Sequence, residues 1–122
     1  MKALFIIAAI NGFLAVALGA FGAHGLEGKI SESAIATWEK AVLYQMFHTV
    51  SILAVAIMMF KYDAGSLLAA GYLFFIGIIL FSGSLYIYST TGVKALAMIT
   101  PFGGVFFLIG WVVLGYALIK LL

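Results

Sequence analysis

Long apolar stretches alternate with short polar ones along the whole chain of 122 residues. Four apolar stretches reach the length of about 20 residues that a helix needs to cross a hydrocarbon core about 30 Å thick. They cover approximately residues 3–23, 41–60, 67–88 and 101–122. Backbone N–H and C=O groups in lipid must be paired within the protein, so these stretches are predicted to be helices. The sequence therefore predicts one transmembrane domain, residues 1–122, with four spans.

Small and polar residues mark the end of the first span and the start of the next. The stretch LGAFGAHGL, residues 18–26, contains Gly22 and Gly25. Glycine adopts positive φ at little cost, so these two residues are predicted to end the first helix. Ser31 or Ser33 is expected to cap the helix that follows.

Two further segments lie beside the spans. Ile35, Trp38 and Val42 fall on one helix face, which indicates an amphipathic segment at the membrane surface leading into the second span. Thr100 and Pro101 are a typical N-cap and first-turn pair, so the fourth helix is predicted to begin there, after a short interfacial helix. The predicted fold class is all-α: an integral membrane four-helix bundle with an amphipathic interfacial segment before the second span.

The composition agrees with a lipid environment and excludes several functions. Hydrophobic residues make up 66% of the chain and charged residues 8%, against about 25% charged residues in soluble domains. All six basic residues are lysines, a pattern that argues against nucleic-acid binding. The absence of cysteine excludes thiolate chemistry. The lysines divide equally between the two membrane sides, so the positive-inside rule gives no clear orientation, and the α-amino group slightly favours cytoplasmic termini.

Small residues indicate where helices approach one another closely. Lipid does not drive spans together by hydrophobicity, so close packing and interhelical hydrogen bonds hold them. A stripe of small residues follows one face of the first span, which is predicted to be the centre of the bundle. The glycines of the fourth span predict similar close approaches to a neighbouring helix. The predicted packing positions are Ala8, Gly12, Ala15, Gly19 and Gly22 in the first span and Gly103, Gly104, Gly110 and Gly115 in the fourth.

Polar residues within the spans concentrate toward one membrane side, called side B, at which the first span ends and the second begins. His48 is the only ionisable histidine or acid within a span, and such groups often mark function. One interpretation is a polar cavity open to side B, in which His48 titrates or binds a solute beside Asn11, Gln45 and Ser82. The other is a neutral histidine that hydrogen-bonds helix to helix. Trp111 lies deep enough that its N–H requires a partner.

The other histidine also allows two interpretations. His24 either caps the last carbonyls of the first helix or joins Glu39 or Tyr44 at the mouth of the cavity. Zinc takes three or four protein ligands, and His24, His48 and Glu39 would be a thin set. Bis-histidine haem requires both rings at one depth, and these differ by about 10 Å. The sequence predicts no metal and no cofactor.

Three stretches together resemble a known family. They are LGAFGAHGL at 18–26, YQMFHTVSILA at 44–54, and FSGSLY at 81–86 followed by ITPFGG and GW within 99–111. The chain resembles the domain of unknown function 423 family of small four-span membrane proteins, and animal transmembrane protein 256 is similar. The resemblance implies a multi-pass protein of the inner or plasma membrane and no catalytic residues. The candidate site residues are Asn11, His24, Tyr44, Gln45, His48, Ser82, Ser84, Tyr86, Pro101 and Gly103.

Two functions fit this sequence best. The first is a non-enzymatic membrane protein with a scaffold, assembly or lipid-interacting role. The alternative is a transporter or channel for a small solute that uses a polar half-cavity around His48. The expected partners are membrane lipids and either a second copy of the chain or another membrane protein, with no nucleic acid.

Overall fold

The computed structural model describes residues 1–122 and contains four long helices. α1 covers Lys2–His24, α2 covers Glu32–Met58, α3 covers Gly65–Thr91 and α4 covers Lys94–Leu121. Each is long and apolar enough to cross a membrane. There are no strands. The prediction of an all-α four-helix membrane bundle is therefore confirmed.

The third helix is not regular along its length. It is α-helical over Gly65–Gly77 and Ser84–Thr91, and the intervening segment Ile78–Gly83 is a π-helix. Such segments are rare and occur mostly as single turns inside α-helices. At its end, the carbonyl of Phe81 accepts both the backbone N–H of Ser84 and, at 2.9 Å, the Ser84 hydroxyl.

The first helix ends by a different route from the predicted one. Gly22 lies within α1, and Gly25 follows it with φ −89°, so neither adopts positive φ. The positive φ of this connection is at Gly28, with φ 78°. The predicted cap of α2 is confirmed, because the Ser31 hydroxyl accepts the backbone N–H of Ala34 at 3.1 Å.

The prediction that the fourth helix begins at Thr100 and Pro101 is wrong. α4 begins at Lys94, so the expected short interfacial helix is its first turns and Pro101 lies inside it. The Thr100 hydroxyl meets the Ser84 hydroxyl of α3 at 2.6 Å. It also bonds the carbonyl of Leu96 at 3.3 Å. Thr100 therefore connects two helices instead of capping one.

The small-residue face of α1 packs against α2, as predicted. Gly19 lies against Val42, and Gly22 lies against the ring of Trp38, where a Cβ would collide with the indole. The Trp38 indole N–H donates to the carbonyl of Leu18 at 2.8 Å. The amphipathic segment predicted at the membrane surface is thus the first part of α2, and its apolar face packs on α1 instead of on lipid headgroups.

The prediction that α1 is the centre of the bundle is wrong. Within the most apolar part of each helix, 44% of α2 and 39% of α3 is buried, compared with 22% of α1 and 22% of α4. α1 packs mainly on α2, and α4 packs on α3. No Cα atom of α2 lies within 8 Å of one in α4. These two helices meet only through large side chains, which leaves a space between their backbones.

Two neighbouring glycines of α4 differ in their surroundings. A Cβ on Gly103 would collide with the backbone of Phe81, so α3 and α4 make their close approach there. A Cβ on Gly104 would meet nothing within 4 Å, and the same holds for Gly115. The prediction of packing is therefore correct for Gly103 and wrong for Gly104 and Gly115.

Candidate functional site

A continuous chain of buried side-chain hydrogen bonds joins three helices. The Tyr86 hydroxyl donates to Gln45 Oε1 at 2.7 Å. Gln45 Nε2 donates to Asn11 Oδ1 at 3.0 Å, and Asn11 Nδ2 donates to the carbonyl of Ile7 at 2.9 Å. Gln45 and Asn11 are buried. The amide groups of Gln45 and Asn11 thus link α3, α2 and α1 through hydrogen bonds.

The serines of α3 make two further links between helices. Ser82 is fully buried, and its hydroxyl donates to the carbonyl of Ala41 in α2 at 2.7 Å. Ser84 reaches Thr100 of α4. No buried side-chain nitrogen or oxygen lacks a hydrogen-bond partner. The polar residues near side B thus satisfy one another and the backbone.

His48 links α2 to α4 and is held in one protonation state by its neighbours. Its Nδ1 lies 2.7 Å from the carbonyl of Tyr44, and its Nε2 lies 3.1 Å from the indole nitrogen of Trp111. An indole nitrogen only donates, so Nε2 must be the unprotonated acceptor and Nδ1 carries the hydrogen. The ring also stacks on Phe107, with centroids 3.6 Å apart. His48 is therefore a neutral hydrogen-bonding link, as the second interpretation of the sequence has it.

An apolar cavity of about 630 Å³ lies between α2 and α4, beside this histidine. We call it the α2–α4 groove. Its outer walls include Leu43 and Leu108, which are 63% and 68% exposed. The groove is lined by Leu43, Tyr44, Phe47, His48, Phe81, Pro101, Gly104, Val105, Phe107, Leu108 and Trp111. It therefore opens sideways onto the outer surface of the bundle, where hydrocarbon surrounds a spanning helix.

The structure separates the candidate residues that the sequence grouped together. Of the predicted polar cavity, only Tyr44 and His48 line the groove, together with Pro101. Asn11, Gln45 and Ser82 do not line it, since their side chains are bonded within the bundle. The predicted polar lining is therefore wrong in its composition: the cavity beside His48 is apolar.

His24 takes part in neither of its predicted roles. It is exposed at the last residue of α1 and lines no cavity near His48. The cap there is a backbone hydrogen bond from Gly25 N–H to the carbonyl of Phe21, 2.6 Å long. No three His, Asp or Glu side chains come together in a cluster that could hold a metal ion.

Sequence reasoning missed the aromatic residues that form the groove. The sequence did not predict that Phe81, Phe107 and Trp111 line a cavity. A signal was present, because Tyr44 and His48 in α2 and Phe107 and Trp111 in α4 are each four residues apart, the spacing that places side chains on one helix face. Two such ring pairs in different spans indicate a shared aromatic surface.

A second cavity of about 410 Å³ lies at side B, between the start of α2 and the end of α3. Its lining includes Ser31, Ser33, Thr37 and Ser89. The hydroxyls of Ser31, Thr37 and Ser89 are used in bonds to the local backbone. None of its lining residues is Lys, Asp, Glu or His, so this cavity is a surface cleft without an ionisable cluster.

Four apolar spans, tied together by satisfied polar groups, define a multi-pass α-helical membrane protein. Comparison with known families agrees: residues 18–104 match the family described as "Protein of unknown function (DUF423)". The chain belongs to this family. The matched region includes the π-helical segment and the groove residues up to Gly104. The other lining residues of α4 lie beyond it: Val105, Phe107, Leu108 and Trp111.

The chain also resembles bacterial relatives over its full length. It is 50% identical to the UPF0382 membrane protein YwdK of Bacillus subtilis, with 100% of both chains covered. It is 48% identical to the UPF0382 membrane protein SAB0533 of Staphylococcus aureus and to SERP0230 of Staphylococcus epidermidis, with 98% of each chain covered. No solved structure matches it.

Proposed function

We propose that this chain is a non-enzymatic, lipid-interacting protein of the cell membrane that takes up a lipid-soluble molecule into the α2–α4 groove. The observation that carries the proposal is the apolar cavity of about 630 Å³ that opens on the outer faces of α2 and α4. This volume lies within the range of about 300–1,000 Å³ that small-molecule sites occupy. A molecule dissolved in the bilayer would reach the groove directly from the hydrocarbon.

Two unusual features meet at this groove and support its choice as the site. Phe81 belongs to the π-helical segment, and such segments often occur at functional sites. His48 is an ionisable residue within a span, which is rare outside functional positions. Both line the groove, although they lie on different helices.

The hydrogen bonds of the polar residues favour this function over transport of a polar solute. A solute path needs polar groups that are free to exchange partners with it. Gln45 is bonded to both Asn11 and Tyr86, and both ring nitrogens of His48 are engaged. The same bonds support a non-enzymatic role, because His48 as placed has no free nitrogen to act as a base.

The test compares two glycine variants of α4. Gly104→Leu places a side chain inside the groove, and its Cβ meets nothing within 4 Å. Gly115→Leu is the matched control, since its Cβ also meets nothing and it does not line the groove. Each protein is released from its own cell membrane and weighed by native mass spectrometry. We expect the native chain and Gly115→Leu to retain an apolar molecule that Gly104→Leu loses; retention that is equal in all three, or absent from all three, would contradict the proposal.

A further inference from the structure

We propose that the α2–α4 groove binds an uncharged molecule with a flat conjugated ring that carries a carbonyl oxygen, as a quinone does, on a lipid-soluble tail. This inference rests on the proposed function and names the class of ligand. The juxtaposition that carries it is a set of aromatic walls, an uncharged lining and one free hydroxyl group. The lining excludes charged occupants, the walls favour a ring, and the hydroxyl favours an acceptor oxygen on that ring.

The size of the groove suits a single small molecule. Its volume of about 630 Å³ lies within the range of about 300–1,000 Å³ that small-molecule sites occupy. A second copy of the chain seated on the groove is the other possible occupant, and native mass spectrometry would record it as a doubled mass.

The lining excludes charged ligands. None of the eleven lining residues is Lys, Asp or Glu, and eight are hydrophobic. An unpaired charge in such an environment is costly. An anionic lipid headgroup would find no cation in the groove, and an organic cation would find no carboxylate. The occupant must therefore be neutral along the length that enters the groove.

The walls consist of flat rings that support one another. The Phe81 ring lies 4.5 Å from that of Tyr44 and 5.5 Å from that of Phe107. Phe107 in turn stacks on His48, and the Trp111 N–H holds the imidazole at its Nε2. Aromatic rings interact favourably with other rings in offset or edge-to-face geometry, beyond the area that they bury. A flexible aliphatic chain gains no such interaction, so these walls favour a ligand with a ring.

One polar group of the groove is free to bind a ligand. The Tyr44 side chain is 38% exposed, and none of the protein's side-chain hydrogen bonds uses its hydroxyl. The Trp111 N–H is bonded to Nε2 of His48, and Nδ1 of His48 is bonded to the carbonyl of Tyr44. Tyr44 also lies about 5 Å beyond the predicted start of the second span, where the polar end of a membrane-dissolved molecule would sit. A ring carbonyl that accepts from this hydroxyl completes the site.

The experiment uses Trp111 as the reporter in the Trp38→Phe variant, reconstituted in nanodiscs. The probe is 2-methyl-3-decyl-1,4-naphthoquinone, which quenches indole fluorescence, and methyl palmitate is the competitor without a ring. We expect saturable quenching that is weakened at least tenfold by Gly104→Leu and unchanged by Gly115→Leu. Tyr44→Phe, which removes one hydrogen bond and leaves the wall intact, should weaken binding about three- to tenfold. An excess of methyl palmitate should not reverse the quenching.

Different failures identify which claim is wrong. If methyl palmitate, at equal concentration or in excess, reverses the quenching, the groove takes any hydrocarbon chain: the ligand class is overturned and the proposed function stands. If Tyr44→Phe binds the probe as tightly as the native tyrosine, the carbonyl contact is overturned. If no saturable quenching occurs while Gly104→Leu still loses a retained lipid, the ring-bearing class is wrong. If neither effect occurs, both proposals are overturned.

Discussion

The imidazole of His48 shows how one side chain is fixed by the donors and acceptors around it. Trp111 can only donate, so His48 must accept at Nε2 and carry its hydrogen at Nδ1, pointing to the carbonyl of Tyr44. A second proton on the ring, at Nε2, would place its N–H directly against the N–H of Trp111. This neutral form suits a site that binds uncharged molecules.

The tautomer of His48 can be measured directly. In protein labelled with ¹⁵N at histidine and reconstituted in lipid, we expect one ring to give an unprotonated Nε2 and a protonated Nδ1. Trp111→Phe should change the Nε2 shift of this ring, because it removes the donor, and leave the signals of exposed His24 unaltered. A His48 signal with hydrogen on Nε2, or with both nitrogens protonated at neutral pH, would show that the link to Trp111 does not exist.

Residue-scale sequence reasoning located the polar groups but not their partners. Their concentration near side B follows from their positions along the spans, and Ser82 does reach Ala41, near Gln45 in α2. Which side chain faces which depends on the rotation of each helix about its axis, and this is set by packing. Asn11 and Gln45 therefore appeared as cavity-lining residues when they are bonded to each other.

At the scale of helices, α3 and α4 come closest backbone to backbone at Gly103, while Gly77 and Gly110 pack against side chains of the opposite helix. Gly103 lies against the backbone of Phe81, within the π-helical segment, and backbone cannot move aside as a flexible side chain can. Its neighbour Gly104 faces the groove. A side chain is therefore sterically excluded at Gly103 but has room at Gly104.

Alanine at these two positions should have opposite effects on stability. Gly103→Ala forces α3 and α4 apart and is expected to lower the free energy of unfolding by about 1–3 kcal/mol, as overpacking does. Gly104→Ala meets no atom and should be neutral or raise it by up to about 1 kcal/mol, through better helix propensity. Reversible unfolding in mixed micelles measures both. Equal effects of the two variants would show that the helices do not approach each other at Gly103.

Helix boundaries could be predicted only where a local signal decides them. The Ser31 cap is such a signal, because its bond to Ala34 is formed within one turn. The start of α4 has no such local signal. Thr100 was predicted to cap this helix, but its hydroxyl bonds Ser84 of another helix. The π-helical segment of α3 likewise has no motif in the sequence and accompanies the close contact with Gly103.

For the whole molecule, hydropathy alone predicted the four spans, because a membrane requires long apolar helices regardless of how they pack. Hydropathy did not predict which helices pack against each other. The small-residue stripe of α1 correctly indicated a close neighbour, but one neighbour does not make a helix central, and α1 packs mainly on α2. The groove between α2 and α4 arises because aromatic side chains keep their backbones apart, which no single-helix pattern reveals.

The central claim is that the α2–α4 groove is filled from the bilayer and not from water, and the two tryptophans test it most directly. Trp111 lines the groove and is 38% exposed, whereas Trp38 packs between helices and is 5% exposed. Single-tryptophan proteins, Trp38→Phe and Trp111→Phe, are placed in bilayers and quenched with brominated lipid or with aqueous acrylamide. The account predicts that brominated lipid strongly quenches Trp111 and hardly affects Trp38, while acrylamide quenches neither. Strong quenching of Trp111 by acrylamide, with little by brominated lipid, would contradict it.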